Sequence, residues 1–313
     1  MSSRRSTVAS LLAAAAALVL GVVMGVGPMA DVGLRQRNDE ITALRARTGQ
    51  LQHRVGVQAA ALRGAQALTG ELVAPLTAGR LRGHSVVVFA LPGAASLAAR
   101  TSRDLEAAGA TVTGTVDILA AYLDPAKARS PLEDLSLHLI PPGVHFRNGS
   151  TPIERVGTVL ARATVSRQAS GAVEQPSAEL ISGLTELHAL RLTGAPGTHA
   201  DLAVVVLAGG RSHQSVDRRR GADDALVGLV RSLDAAAAGV VVSGPTTATE
   251  PGGFLDILRT TRLAGVSTVD GAGTAAGTIA VVLGLVEQNA GGAGDYGVGP
   301  GAERVLPRGL TGG

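Results

Sequence analysis

An uncharged, apolar stretch near the N-terminus constrains this chain more than any other feature. No charged residue occurs between Arg5 and Asp31, and the intervening positions are mostly alanine, valine, leucine and glycine. As an α-helix this stretch would be about 37 Å long, at 1.5 Å per residue. The apolar core of a bilayer needs only about 20 residues. The pattern therefore predicts a membrane-spanning helix over residues 8–30.

A cleaved signal peptide is the alternative interpretation of this stretch. The apolar region of a signal peptide is usually about 7–15 residues long and ends at a small-x-small cleavage site. Here the apolar run is longer, and its small-x-small sequence, Gly25-Val26-Gly27, is followed at once by Pro28. We therefore favour a retained, single-pass anchor in the cell membrane.

The charges on either side of the anchor set its expected orientation. Arg4 and Arg5 lie in the short head, residues 1–7, and favour a cytoplasmic N-terminus. Arg35 and Arg37 follow the anchor and weaken that bias. Because long downstream segments cross the membrane largely regardless of charge, we expect the rest of the chain to be extracytoplasmic.

A heptad pattern follows the anchor over residues 31–66. With Leu34 at position a, seven of the ten a and d positions are apolar. This pattern predicts a coiled-coil stalk that forms a parallel homodimer. The predicted dimer seam consists of Leu34, Ile41, Leu44, Leu51, Val55 and Leu62. The alternative is a single amphipathic helix that lies on the following domain.

Short apolar runs alternate with helical patterns over residues 83–288. The segments Ser85–Ala90, Asp201–Ala208 and Gly239–Gly244 each contain at least three consecutive apolar residues, as in strands covered on both faces. This alternation predicts an α/β domain with an open, doubly wound, Rossmann-like parallel sheet. The remaining segment, 289–313, is rich in glycine and proline, and we expect a flexible tail there.

Composition restricts the chemistry open to the chain. There is no cysteine, which excludes disulfides and thiolate sites, and aromatic residues make up only 2% of the sequence. The net charge is +3 with both signs interspersed, so we expect no nucleic-acid partner. Met24 and Met29 lie in the predicted anchor. The soluble part therefore offers no sulfur ligand for copper(I), which prefers thiolates and thioethers.

The candidate sites for catalysis or metal binding are weak. A glycine-rich turn, Asp270–Gly277, resembles a phosphate-binding turn, but its GxGxxxG spacing departs from the dinucleotide pattern. We interpret it as the start of a helix, with Asp270 or Thr274 near the cap. No pair of the seven histidines has the spacing of a helical metal site. We expect no enzyme, and the residues assign neither a metal ligand nor a cofactor-binding residue.

Several motifs together resemble a known family. They are the basic head, the apolar span ending in LVLGVVMG, the heptad segment, the stretch HSVVVFALPG, and STVD followed by GTIAVVLGLVEQNAGGAGDYGVG. Over nearly its full length the chain resembles the actinobacterial MctB family of copper-transport envelope proteins. The resemblance implies a role in copper homeostasis or transport, with copper as the metal handled. It implies no set of copper ligands.

Two other functions remain open on the residues. A non-catalytic scaffold that regulates cell-envelope or division proteins through the coiled coil would use the same anchor and stalk. An enzyme would need a pocket near Gly93, Gly209 and Gly244, where the carboxyl ends of the strands meet. Convergent polar side chains there would favour the enzyme, and an apolar, occluded rim would disfavour it.

Overall fold

Short runs of valine and other apolar residues form one seven-stranded sheet in a computed structural model of the chain. The structure describes residues 17–18, 44–123, 144, 146, 149–167, 175–196, 199–209, 216–263 and 265–308. The chain divides into two units, Met1–Ala65 and Gln66–Gly313, and the sheet belongs to the second.

The described part of the first unit is helical. Helix α1 covers residues 44–77, of which 44–65 belong to this unit, and Ala17 and Leu18 are also helical. The rest of the predicted anchor, 8–30, lies outside the described residues. Within the described ranges, no helix combines the length and the apolarity needed to cross a bilayer. Pairing of α1 with a second chain stays a prediction.

The sheet confirms the mixed α/β class and its mostly parallel strands. Its order is β3-β2-β1-β4-β5-β6-β7, and only the β2–β3 pair is antiparallel. The strands are β1 (Ser85–Ala90), β2 (Thr111–Ile118), β3 (Leu190–Gly194), β4 (Leu202–Val206), β5 (Gly239–Gly244), β6 (Val266–Asp270) and β7 (Asp295–Tyr296).

Helices connect the strands and cover both faces of the sheet. They are α2 (Ala95–Ala107), α3 (Ala120–Leu123), α4 (Pro152–Thr164), α5 (Gln175–Glu186), α6 (Val216–Ala236), α7 (Phe254–Thr261) and α8 (Ala275–Asn289). A 3-10 turn, Thr246–Thr249, follows β5. Helix α4 starts with a capping box in which Thr151 and Glu154 satisfy each other's backbone amides.

Alternate residues of each central strand belong to two separate cores. Val87 and Phe89 of β1 pack on one face with Leu160 of α4 and Leu229 of α6. Val86 and Val88 point to the other face and pack with the small side chains of α2 and the valines of α8. Burial on both faces explains why β1 and β4 contain continuous apolar runs rather than an alternating pattern.

The sequence predicted neither of the two edge strands of the sheet, the two-residue β7 and the antiparallel β3. Only Leu190 of its five residues is buried, so the segment LRLTG lacks the apolar run of the other strands. Gly114 of β2 faces Gly194 of β3, and a side chain on Gly114 would lie 2.5 Å from the carbonyl oxygen of Thr193. Glycine at this crossing permits the close approach of the two backbones.

Candidate functional site

Open α/β sheets bind ligands where the chain switches direction at the carboxyl ends of the strands. In this sheet the switch lies between β1 and β4, beside the turns that contain Gly93 and Gly209. A Cβ atom on Gly93 would lie 3.3 Å from the Cβ of Ala208. A Cβ atom on Gly209 would lie 2.9 Å from Pro245 and 2.8 Å from the Thr247 hydroxyl.

Neighbouring side chains also fill the space beside the turn that follows β5. A Cβ atom on Gly244, at the end of β5, would lie 3.1 Å from the Cβ of Leu207 and 3.2 Å from that of Ala248. Small apolar groups therefore occupy this part of the rim, together with one threonine hydroxyl. The convergent polar side chains that an enzyme would place there are not found among its described residues.

The glycine-rich turn after β6 serves to start helix α8. The Thr274 hydroxyl accepts a hydrogen bond from the Gly277 amide at 3.1 Å and is the N-cap. Helix α2 packs against this turn, and Asp104 accepts a hydrogen bond from the Thr278 hydroxyl at 2.9 Å. Only about 10 Å³ of space remains between the turn and α2, roughly the room for one water molecule.

Asp270 ends β6 and is one centre of a buried polar network. Its side chain is fully buried and pairs with Arg259 of α7, whose Nη2 lies 3.1 Å from the carboxylate. The same carboxylate accepts hydrogen bonds from the Val298 amide at 2.9 Å and the Gly299 amide at 3.0 Å. The sequence allowed either Asp270 or Thr274 to lie near the cap of α8. Thr274 is the cap, and Asp270 makes these other contacts instead.

Arg259 holds the C-terminal segment from the other side of the network. Its guanidinium donates to the carbonyl oxygens of Tyr296 at 2.9 Å and Pro300 at 2.7 Å, and to the Thr268 hydroxyl at 2.8 Å. Thr268 in turn donates to Asp295 at 2.6 Å. The network is therefore satisfied on all sides, as a buried ion pair must be to be tolerated.

The described part of the expected flexible tail is residues 289–308; Asn289 ends α8, and the segment after it packs along the edge of the sheet. Two of its residues form β7 beside β6, and Tyr296 is completely buried. The Tyr296 hydroxyl donates to the Glu287 carboxylate. Burial, and then this contact, raise the pKa of Tyr296 above its ordinary value. The buried Tyr296 ring and the Arg259–Asp270 network therefore hold in place a segment whose glycine content predicts mobility.

A cleft of about 740 Å³ opens beside this network, between α7 and the C-terminal segment. Asp256, Arg262, Asp295 and Glu303 line it together with Arg259, so both charge signs are present. The Asp256 carboxylate accepts the Gly252 amide at 2.6 Å. Several of the charged groups on its walls therefore already have partners. Among the described residues, its carboxylates do not form a group that could hold a metal ion.

A second polar cluster lies at the amino ends of β1 and β4, away from the carboxyl edge. The Asp201 carboxylate contacts His84 Nδ1 at 2.5 Å and accepts the Ser85 amide at 2.6 Å. It also accepts the Ser85 hydroxyl at 2.9 Å. The carboxylate, rather than the imidazole, contacts the hydroxyl, so this group lacks the base-to-nucleophile contact of a catalytic triad. It links the two central strands.

Of the other six histidines, the structure describes His53, His188 and His199. His53 is exposed on α1, and His188 follows α5 with a φ of 54° and its Nδ1 3.0 Å from the Glu186 carbonyl. Three others lie outside the described residues: His138, His145 and His213. Within the described parts of the chain, no three His, Cys, Asp or Glu side chains are placed to hold a metal ion.

The predicted dimer seam lies partly within the described helix. Leu44, Leu51, Val55 and Leu62 are on α1 and are 53%, 60%, 62% and 60% exposed. Leu34 and Ile41 lie outside the described residues. Exposed apolar residues with heptad spacing form a stripe that a partner can cover.

Comparison with known proteins gives one family. The model described as "Copper transport outer membrane protein, MctB" matches residues 1–307. No curated protein shows significant similarity to the chain. The family match includes the predicted anchor, the predicted stalk and the α/β domain.

Proposed function

Since the chain belongs to the MctB family of copper transport proteins, we propose that it serves copper homeostasis as a single-pass protein of the cell envelope. The match over residues 1–307 carries this proposal, because it includes the predicted anchor, the predicted stalk and the α/β domain. The uncharged stretch between Arg5 and Asp31 supports the anchor, and Arg4 and Arg5 support an extracytoplasmic domain.

In this proposal the α/β domain is not an enzyme, and copper is cargo rather than a resident cofactor. The packing of Ala208, Pro245 and Ala248 around the strand ends supports a domain without a catalytic pocket. The chain has no cysteine, and its methionines lie at the start of the chain and in the predicted anchor. A thiolate or thioether site for copper(I) in the folded domain is therefore not part of the proposal.

We further propose that α1 forms a parallel homodimer. Burying the exposed leucine and valine side chains of the seam stabilises association, by about 1.5–3 kcal/mol for each side chain that becomes fully buried. In parallel register, Arg47 would face Gln52 of a second copy, and Arg54 would face Ala59. No like charges oppose each other in these pairs, which supports the parallel arrangement. Tethering both chains in one membrane raises their local concentration.

Deleting the gene tests the copper role. We expect a change in total cellular copper, measured by mass spectrometry, and in growth on copper-supplemented medium. The full-length gene should restore both, and a variant that lacks residues 8–30 should not. Unchanged copper content and unchanged copper tolerance in the deletion strain would contradict the proposal.

A non-catalytic scaffold is the second candidate, and the exposed seam favours it. A stalk of this kind can bind a helix of another envelope protein instead of a second copy of itself. Affinity purification of the full chain from membranes, with copper measured in the same sample, separates the two functions. A stoichiometric protein partner with normal cellular copper in the deletion strain favours the scaffold. A copper phenotype without a partner favours transport.

A further inference from the structure

The last part of helix α1, residues 66–77, belongs to the same unit as the α/β sheet. In this segment Leu68 and Leu72 are 62% and 45% exposed. Side chains four residues apart are neighbours on one face of a helix, so these two leucines form one exposed apolar pair. The pair lies beyond the predicted dimer seam, which ends at Leu62.

The unit buries only one side of this segment. Val73 and Leu76 are half-buried and Thr77 is buried. At 3.6 residues per turn, Leu72 points about 100° away from Val73 around the helix, and Leu68 about 140° away. The apolar surface of the segment is therefore wider than the part that its own unit covers, and the leucine pair is the remainder.

The heptad register places this remainder where a second helix would contact it. Counted from Leu34 at position a, Leu72 is at d, Leu68 is at g and Val73 is at e. In a parallel two-stranded coiled coil the d residues of the two chains pack together, and each g residue lies beside an e residue of the partner. Leu72 would then meet Leu72 of a second copy, and Leu68 would meet Val73.

The distribution of charge favours an identical partner. Between Arg63 and Arg80 the only charged residue is Glu71, which is at the outward c position. Charged residues at e and g select the partner of a coiled coil by their sign. In this segment the e and g positions are all uncharged: Gln66, Leu68, Val73 and Pro75. Two copies in parallel register therefore bring no like charges together at these positions.

We propose that Leu68 and Leu72 form a dimer contact within the α/β domain itself, covered by the same pair of a second copy. This inference rests on the parallel homodimer proposed above and extends its interface beyond the stalk. It differs from a dimer held by the stalk alone, in which this pair would stay exposed to water. Contact at Leu72 would hold the two α/β domains side by side where their chains enter.

Single cysteines in the full chain test this contact, because the chain has no cysteine of its own. When membranes that contain the protein are oxidised, Leu72→Cys should form at least about five times more disulfide-linked dimer than Ala67→Cys. Ala67 is the matched control, since it is exposed in the same segment and is at the outward f position. Leu51→Cys reports on the stalk in the same experiment.

A second measurement does not depend on cross-linking. The double variant Leu68→Gln with Leu72→Gln should raise the dimer dissociation constant in detergent micelles at least about tenfold, measured by analytical ultracentrifugation. The control is Ala67→Gln with Ala74→Gln, because both alanines are exposed and at f positions. The melting temperature shows whether each variant folds, and if Leu72→Cys does not fold, this measurement decides.

The outcomes distinguish this contact from the stalk dimer. Cross-linking of Leu51→Cys without Leu72→Cys would overturn the contact and leave the stalk dimer in place. Absence of cross-linking at both positions would overturn both proposals. Equal cross-linking of Leu72→Cys and Ala67→Cys, or equal dissociation constants for the two double variants, would also overturn the contact.

Discussion

Replacing Arg259 tests whether the buried network at the end of β6 holds the C-terminal segment in place. Arg259→Met removes the guanidinium and keeps most of the aliphatic stem. The carbonyl oxygens of Tyr296 and Pro300 lose their donors, and the buried Asp270 carboxylate keeps only the amides of Val298 and Gly299. We therefore expect the C-terminal segment to lose its attachment to α7.

The magnitude follows from burial. The side chains of Arg259 and Asp270 are only 4% and 0% exposed, so the remaining charge cannot be solvated by water. Breaking one side of a buried ion pair costs about 3–5 kcal/mol. For a domain of about 150–250 residues each kcal/mol lowers the melting temperature by about 2–4 °C. The expected decrease is therefore roughly 10 °C.

Thermal and urea unfolding measure the loss, and hydrogen exchange locates it. Arg259→Met should accelerate exchange at the Val298 and Gly299 amides more than elsewhere in the domain. Arg103→Met is the control: Arg103 is exposed on α2, and replacing an exposed arginine should change stability by less than about 0.5 kcal/mol. A loss below about 1 kcal/mol for Arg259→Met, or unchanged exchange at these two amides, would refute the reasoning.

Three further predictions concern Asp234, the two tyrosines and Gly277. Burial raises the pKa of Asp234 despite the opposing charge of Arg167, so its ionisation destabilises the native state as pH rises. Asp234→Asn should therefore be more stable than the wild type in urea at pH 7, and this advantage should disappear below about pH 4. An equal difference at both pH values would contradict it. Burial raises the pKa of both tyrosines, Tyr122 and Tyr296, and the chain has no others. Absorbance at 295 nm should therefore show no tyrosinate near pH 10 until the domain unfolds, and ordinary titration of either ring would count against this. Gly277→Ala should reduce stability by at least about 1 kcal/mol in thermal unfolding, because the new methyl group overlaps backbone oxygen. A fully stable variant would refute that packing.

The sequence predicts the central strands well because their burial is visible in the residues themselves. Val86, Val88 and Val204 belong to apolar runs that fit only strands covered on both faces. The edge strand β3 has no such run, because only one of its five residues is buried, and its pairing with β2 is a tertiary contact. Local patterns do not encode that contact.

The role of Asp270 could not be predicted for a related reason. Its position beside a glycine-rich turn suggests a helix cap, and Thr274 takes that role. The partners of Asp270 are Arg259, eleven residues earlier, and the amides of Val298 and Gly299, nearly thirty residues later. Glycine content predicted mobility in that later segment. The burial of Tyr296, which opposes it, depends on the edge of β6.

Cross-linking through single cysteines tests most directly the central claim that α1 pairs two copies of this protein. The chain has no cysteine, so each introduced thiol is the only one present. Leu51→Cys, at a d position, should form a disulfide-linked dimer when membranes that contain the full chain are oxidised. Ala60→Cys, at the outward f position, should remain monomeric. A monomeric Leu51→Cys, or equal cross-linking at both positions, would contradict the account.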